Sequence, residues 1–141
     1  MLRGFTTINY FASDVSAAVA WYSEVLGVGP YFEKSFGGQP AYVEFRIGDY
    51  QHELGILDSR YHPGGPVDPA DAGKGVAMYW AVDDVEAAFQ RLLDLGATEH
   101  GKPTEHGPGF VTASVVDPFG NVLGVMYNEH YLDILKSRTG E

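Results

Sequence analysis

One short pattern is written twice in this chain. Asp14-Val15-Ser16-Ala17-Ala18 returns as Asp84-Val85-Glu86-Ala87-Ala88, at an offset of 70 residues. Each copy follows a strand-like run and leads into a helical stripe. In the first, Phe5–Phe11 is rich in Thr, Ile, Tyr and Phe and reads as a strand. Ser13 or Asp14 can cap the helix that begins after it. Val15, Ala18, Val19, Tyr22, Val25 and Leu26 share one helix face, widened by Trp21 and closed by Gly27. Strands are expected over Tyr31–Phe36, Ala41–Ile47 and Gln51–Leu57, turned by Gly37-Gly38 and Gly48-Asp49.

The second copy repeats this order. Val76–Val82 reads as a strand, Asp83 or Asp84 as a cap, and Val85, Ala88, Phe89, Leu92 and Leu95 as a helical stripe stopped by Gly96. Strands are expected over Thr98–Lys102, Phe110–Val116 and Val122–Tyr127. Between the last two, Asp117-Pro118-Phe119-Gly120 suits a type I turn. Glu129–Ser137 reads as a short terminal helix. A β-α-β-β-β unit cannot bury both faces of its sheet alone. Two copies predict an α+β fold with an eight-stranded curved sheet, helices on its convex face and a cup on its concave face. The expected organisation is one domain over 1–141. It comprises a first module at about 4–58, a crossover loop at 59–75, a second module at about 76–128 and a terminal helix at about 129–138.

Composition narrows the function. The charge balance is −10, and such a surface repels phosphate backbones and anionic lipid, which argues against nucleic-acid and membrane roles. The absence of cysteine excludes disulfides, thiolate metal sites and cysteine nucleophiles. No stretch reaches the roughly 18 apolar residues of a membrane span, and Met1–Phe5 leads into a strand pattern without a signal-peptide core. The expected location is the cytoplasm.

Three motifs carry a resemblance. Trp21-Tyr22-Ser23-Glu24-Val25-Leu26-Gly27 is similar to the aromatic-Tyr-x-x-x-Leu-Gly helix end of the vicinal oxygen chelate superfamily. That superfamily includes glyoxalase I, extradiol dioxygenases and bleomycin-resistance proteins. Val82-Asp83-Asp84-Val85 resembles its entry to the second helix. Asp117-Pro118-Phe119-Gly120-Asn121 resembles its turn before the last strand. The resemblance covers about residues 4–128. It implies a divalent metal held by one ligand from each of four cup-lining strands. The family's offsets place those ligands at Thr7, Glu53, Ala77 and Gly124. Ala and Gly offer no donor side chain, and no His, Asp or Glu lies within a residue or two of Thr7, Ala77 or Gly124. The expectation is therefore no metal and no cofactor.

Period-two counting from those positions gives the cup lining. The expected ligand-binding residues are Thr7, Asn9, Phe11, Gln51, Glu53, Tyr79, Gly124 and Met126. The opposite, helix-side set is Ile8, Tyr10, Met78, Trp80, Val82, Val125 and Tyr127. His52, His62, His100, His106 and His130 are read as ordinary surface residues. A roomy, mostly apolar cup with a few polar groups suits a small molecule. The first reading is metal-independent binding of an aromatic or cationic ligand, in a sequestering, resistance-like role. The second is a lyase or isomerase with Glu53 as catalytic base, and the third a non-catalytic structural or regulatory module. The expected partners are a small-molecule ligand and a second copy of the chain, since open sheet edges need cover.

Overall fold

A computed structural model describes residues 6–62 and 78–140. The chain divides into two compact units, residues 1–70 and 71–141. The first unit runs β1 (Thr7–Ala12), α1 (Val15–Leu26), β2 (Phe32–Phe36), β3 (Gln39–Ile47) and β4 (His52–Asp58), then a 3₁₀ turn at Ser59–Tyr61. The second runs β5 (Tyr79–Ala81), α2 (Val85–Asp94), β6 (Thr98–Gly107), β7 (Phe110–Val116), β8 (Val122–Asn128) and α3 (Glu129–Thr139). The eight expected strands form two four-stranded sheets of matching order, β1-β4-β3-β2 and β5-β8-β7-β6. In each, the first strand pairs in parallel with the last, and the remaining pairs are antiparallel.

The duplicated Asp does the same work in both copies. Asp14 accepts a hydrogen bond from the Ala17 N–H at 2.9 Å, and Asp84 from the Ala87 N–H at 3.0 Å. Each satisfies a donor that the first helical turn leaves without a partner. Gly27 ends α1 at φ +69°, a conformation that a side chain would penalise. Both stripes face their own sheets. Val15, Ala18 and Tyr22 of α1 are buried, as are Val85, Phe89 and Leu92 of α2. The buried sheet residues are Tyr10, Val43, Phe45, Leu54 and Ile56 in the first unit, and Ala113, Val115, Leu123 and Val125 in the second.

Several positions differ from expectation. Ile8 is 39% exposed rather than buried on the helix side, because it sits near the start of an edge strand. Met78, Trp80, Val82 and Tyr127 are only half-buried. Gln51 does not belong to β4. It lies in the β3–β4 turn at φ +53°, where its Nε2 donates to the Gly48 carbonyl at 3.1 Å. Strand β6 continues through Pro103 to Gly107, past the expected end at Lys102. As an edge strand with shifts in register, it can hold a residue that lacks an N–H. Val76 and Ala77 lie outside the described residues.

Candidate functional site

In the first unit, alternation on β3 separates two faces. Ala41, Val43 and Phe45 point into the core, so Tyr42, Glu44 and Arg46 share the face away from α1. Register carries that face across the sheet. Thr7 lies opposite Glu53, and Glu53 opposite Arg46. Asn9 and Glu44 flank Gly55, and Phe11 and Tyr42 flank Leu57. One end of this open face is apolar. There Phe11 meets the His62 ring edge-on at 4.4 Å, and Phe32 lies 6.4 Å from Tyr42.

The other end is charged. The Thr7 hydroxyl donates to Glu53 Oε1, and the Arg46 guanidinium pairs with Glu53 Oε2 at 2.8 Å. The Tyr42 hydroxyl donates to Glu44 at 2.7 Å. Burial and that acidic partner hold the Tyr42 phenol above its ordinary range. Donation from Thr7, with smaller contributions from Glu44 and Arg46, holds Glu53 below the usual carboxylate range, although burial opposes this. An efficient general base needs a pKa near the working pH. Glu53 is shifted the other way and has both oxygens engaged.

Arg46, Tyr42 and Glu44 are absent from the set expected on sequence, which counts only the strands that carry the family's ligands. The signal is present in the strict alternation of Ala41 through Ile47. The histidines of β6 are exposed, as expected. His100 Nδ1 lies 2.9 Å from Ser114 Oγ, and His106 Nε2 lies 2.7 Å from Thr112 Oγ1. Both are tied to side chains of β7.

In the second unit, Tyr79 lies opposite Gly124, and Ala81 opposite Met126. A Cβ at Gly124 would stand 2.5 Å from Tyr79 Cδ1 and 2.8 Å from the Met78 carbonyl oxygen. The Tyr79 ring therefore fills the space that a side chain at 124 would need. The same device occurs in the first unit. A Cβ at Gly55 would stand 2.0 Å from Asn9 Oδ1 and 2.7 Å from Tyr42 Cε2. In both units a first-strand side chain lies over a last-strand glycine, so the duplication extends to the open faces. Thr7, Asn9, Phe11 and Glu53 thus share one face of the first sheet, while Tyr79, Gly124 and Met126 share one face of the second. Gln51 joins neither.

The donor set does not fit the divalent ion that the resemblance implies. Thr7 is already a donor to Glu53, and the second oxygen of Glu53 is taken by a guanidinium, whose positive charge would oppose an ion there. Gly124 has no side chain and no space for one. Ala77, the remaining position, lies outside the described residues. Among those residues no three His, Cys, Asp or Glu side chains gather closely enough to hold an ion.

A sequence profile described as Glyoxalase/Bleomycin resistance protein/Dioxygenase superfamily matches residues 4–125. The chain belongs to this superfamily. A search of curated proteins gave no match. Solved structures agree on the fold. The bleomycin resistance determinant encoded on transposon Tn5 is 25% identical, with a TM-score of 0.61 over 89% of this chain and 98% of its own. TnmS3, an antibiotic binding protein from Streptomyces sp. CB03234, is 22% identical, with a TM-score of 0.65 over 88% and 94%. A glyoxalase-related enzyme from Fulvimarina pelagi is 19% identical, with a TM-score of 0.70 over 91% and 90%. Among the described residues of this superfamily member, no helix is long and apolar enough to cross a membrane.

The lowered carboxyls predict an acid limit to stability. Glu53 is held low chiefly by Thr7, and Asp58 by the Arg60 side chain, whose Nη2 lies 2.9 Å away. A depressed folded-state pKa gives stability that is present above the unfolded value, about pH 4, and is lost as pH falls through the folded value. Melting temperature should therefore fall below about pH 4. Glu53→Gln and Asp58→Asn should each flatten that fall, as read by melting curves across pH. An unchanged slope in both variants would refute the assignment.

Proposed function

We propose that this chain binds a small molecule without a metal ion, on the open faces of its sheets, in a sequestering role. The observation that carries this reading is the Thr7–Glu53–Arg46 arrangement. It occupies the only ligand-type carboxylate at the family's metal positions with protein partners. Exposed aromatic surface supports an aromatic ligand, since Tyr31, Phe32 and Tyr79 are 65%, 46% and 44% exposed. The relation to a bleomycin resistance determinant and an antibiotic binding protein supports binding over turnover. The lowered Glu53 carboxyl weighs against the alternative of a lyase or isomerase that uses it as base.

We also place the chain in a homodimer. Every residue of edge strand β2 is exposed, and Tyr131, Leu132, Ile134 and Leu135 of α3 are not buried. Elemental analysis of purified protein should find no stoichiometric divalent ion, and exhaustive chelation should leave the melting temperature and small-molecule binding unchanged. Light scattering should return twice the 15.4 kDa chain mass. One bound ion per chain, lost on Glu53→Ala, would overturn the metal-free reading.

A further inference from the structure

The charge that the first sheet offers to a ligand differs from what its sequence suggests. A glutamate on an open sheet face reads as an anchor for cations. Here Glu53 has one oxygen engaged by Thr7 and the other by Arg46 at 2.8 Å, and its side chain is only 12% exposed. The second carboxylate, Glu44, already accepts from the Tyr42 hydroxyl.

The cation of the pair is the accessible partner. The Arg46 side chain is 41% exposed. Its guanidinium carbon lies 5.3 Å from the centre of the Tyr31 ring. The Tyr31 N–H donates to the Glu44 carbonyl at 2.8 Å, which holds that ring's backbone beside the sheet. A guanidinium has five N–H donors. Among the described residues Glu53 is the one carboxylate partnered with Arg46, so most of the fork remains available. Lys34 sits opposite Tyr42 in register, on the same face, and is exposed.

From this geometry we infer that the group docking on the first sheet is a carboxylate of an aromatic small molecule, held bidentately by Arg46 beside Tyr31. The inference rests on the small-molecule reading above and specifies its ligand. A planar fork matches a pair of oxygens in a way that a point charge cannot. Glu53 and Tyr31 act as positioning residues that fix the plane of the guanidinium. The net charge of −10 opposes an anion at long range, but that repulsion is screened beyond about 8 Å at physiological salt. Contact donors then decide.

The test uses three probes that share one ring: benzoate, benzylammonium and benzyl alcohol. Each is titrated to millimolar concentration into ¹⁵N-labelled full-length protein, with the Arg46 Nε–H cross-peak as readout. Benzoate should shift that peak saturably. Arg46→Gln should weaken benzoate binding about tenfold or more, followed at backbone peaks of the first sheet. Arg46→Lys, which keeps the charge without the fork, should also weaken it and serves if Arg46→Gln fails to fold. Benzoate affinity unchanged in either folded variant would overturn the inference. Saturable binding of benzylammonium in preference to benzoate would overturn the carboxylate and leave the small-molecule reading standing. No response to any of the three would overturn both.

Discussion

Tyr22→Ala should lower stability by about 3–5 kcal/mol, the range for truncating a large buried aromatic. Tyr22 is 0% exposed. It lies 5.6 Å from the Tyr10 ring of β1 and edge-on to Trp21 at 4.9 Å, so it joins helix to sheet. The void left by alanine would be lined by α1 and the first sheet, which their short connections hold in place. At roughly 2–4 °C per kcal/mol for a domain near this size, the melting temperature should fall by about 10 °C. Trp21→Ala is the control, because Trp21 is only half-buried. A loss from Tyr22→Ala no larger than that from Trp21→Ala would refute this account of the core.

Asp117→Ala should cost about 2–3 kcal/mol, through backbone donors that lose a charged acceptor. Asp117 is 4% exposed. Its carboxylate accepts from the Phe119 N–H at 2.9 Å, the Asn121 N–H at 2.8 Å and the Asn121 side chain at 2.8 Å. Its own N–H donates to the Asn121 carbonyl at 2.8 Å. These bonds close the turn between β7 and β8 and so set the register that places Gly124 opposite Ser114. Asp117→Asn keeps one acceptor oxygen and should cost less. Denaturant unfolding of both variants checks the order, and equal losses would refute the carboxylate's role in the turn.

Local chemistry made the helices and turns legible. Asp14 and Asp84 were readable as caps, and the stripes ending at Gly27 and Gly96 predicted α1 and α2 closely. These features depend on residues within a few positions of one another, and so did the Asp117–Asn121 turn. The duplication predicted matching topologies for the two units, and the family followed from the three motifs.

The site was legible only in part. Thr7, Asn9, Phe11 and Glu53 were assigned to one face, and register bears that out for their sheet. Gln51 was lost to a turn, because one residue of strand boundary decides which face a side chain joins. That Tyr79 covers Gly124 depends on the β5–β8 register, which no local pattern specifies. Arg46 shows the limit most clearly. Its alternation with Val43 and Phe45 is visible in the sequence, but the expected set leaves it out, and only pairing across the β3–β4 hairpin puts it against Glu53. Residue order alone identified Glu53 as a charged side chain on that face. Folding then enclosed the carboxylate and left the guanidinium accessible, because strand register sets which oppositely charged groups meet and which of them water can still reach.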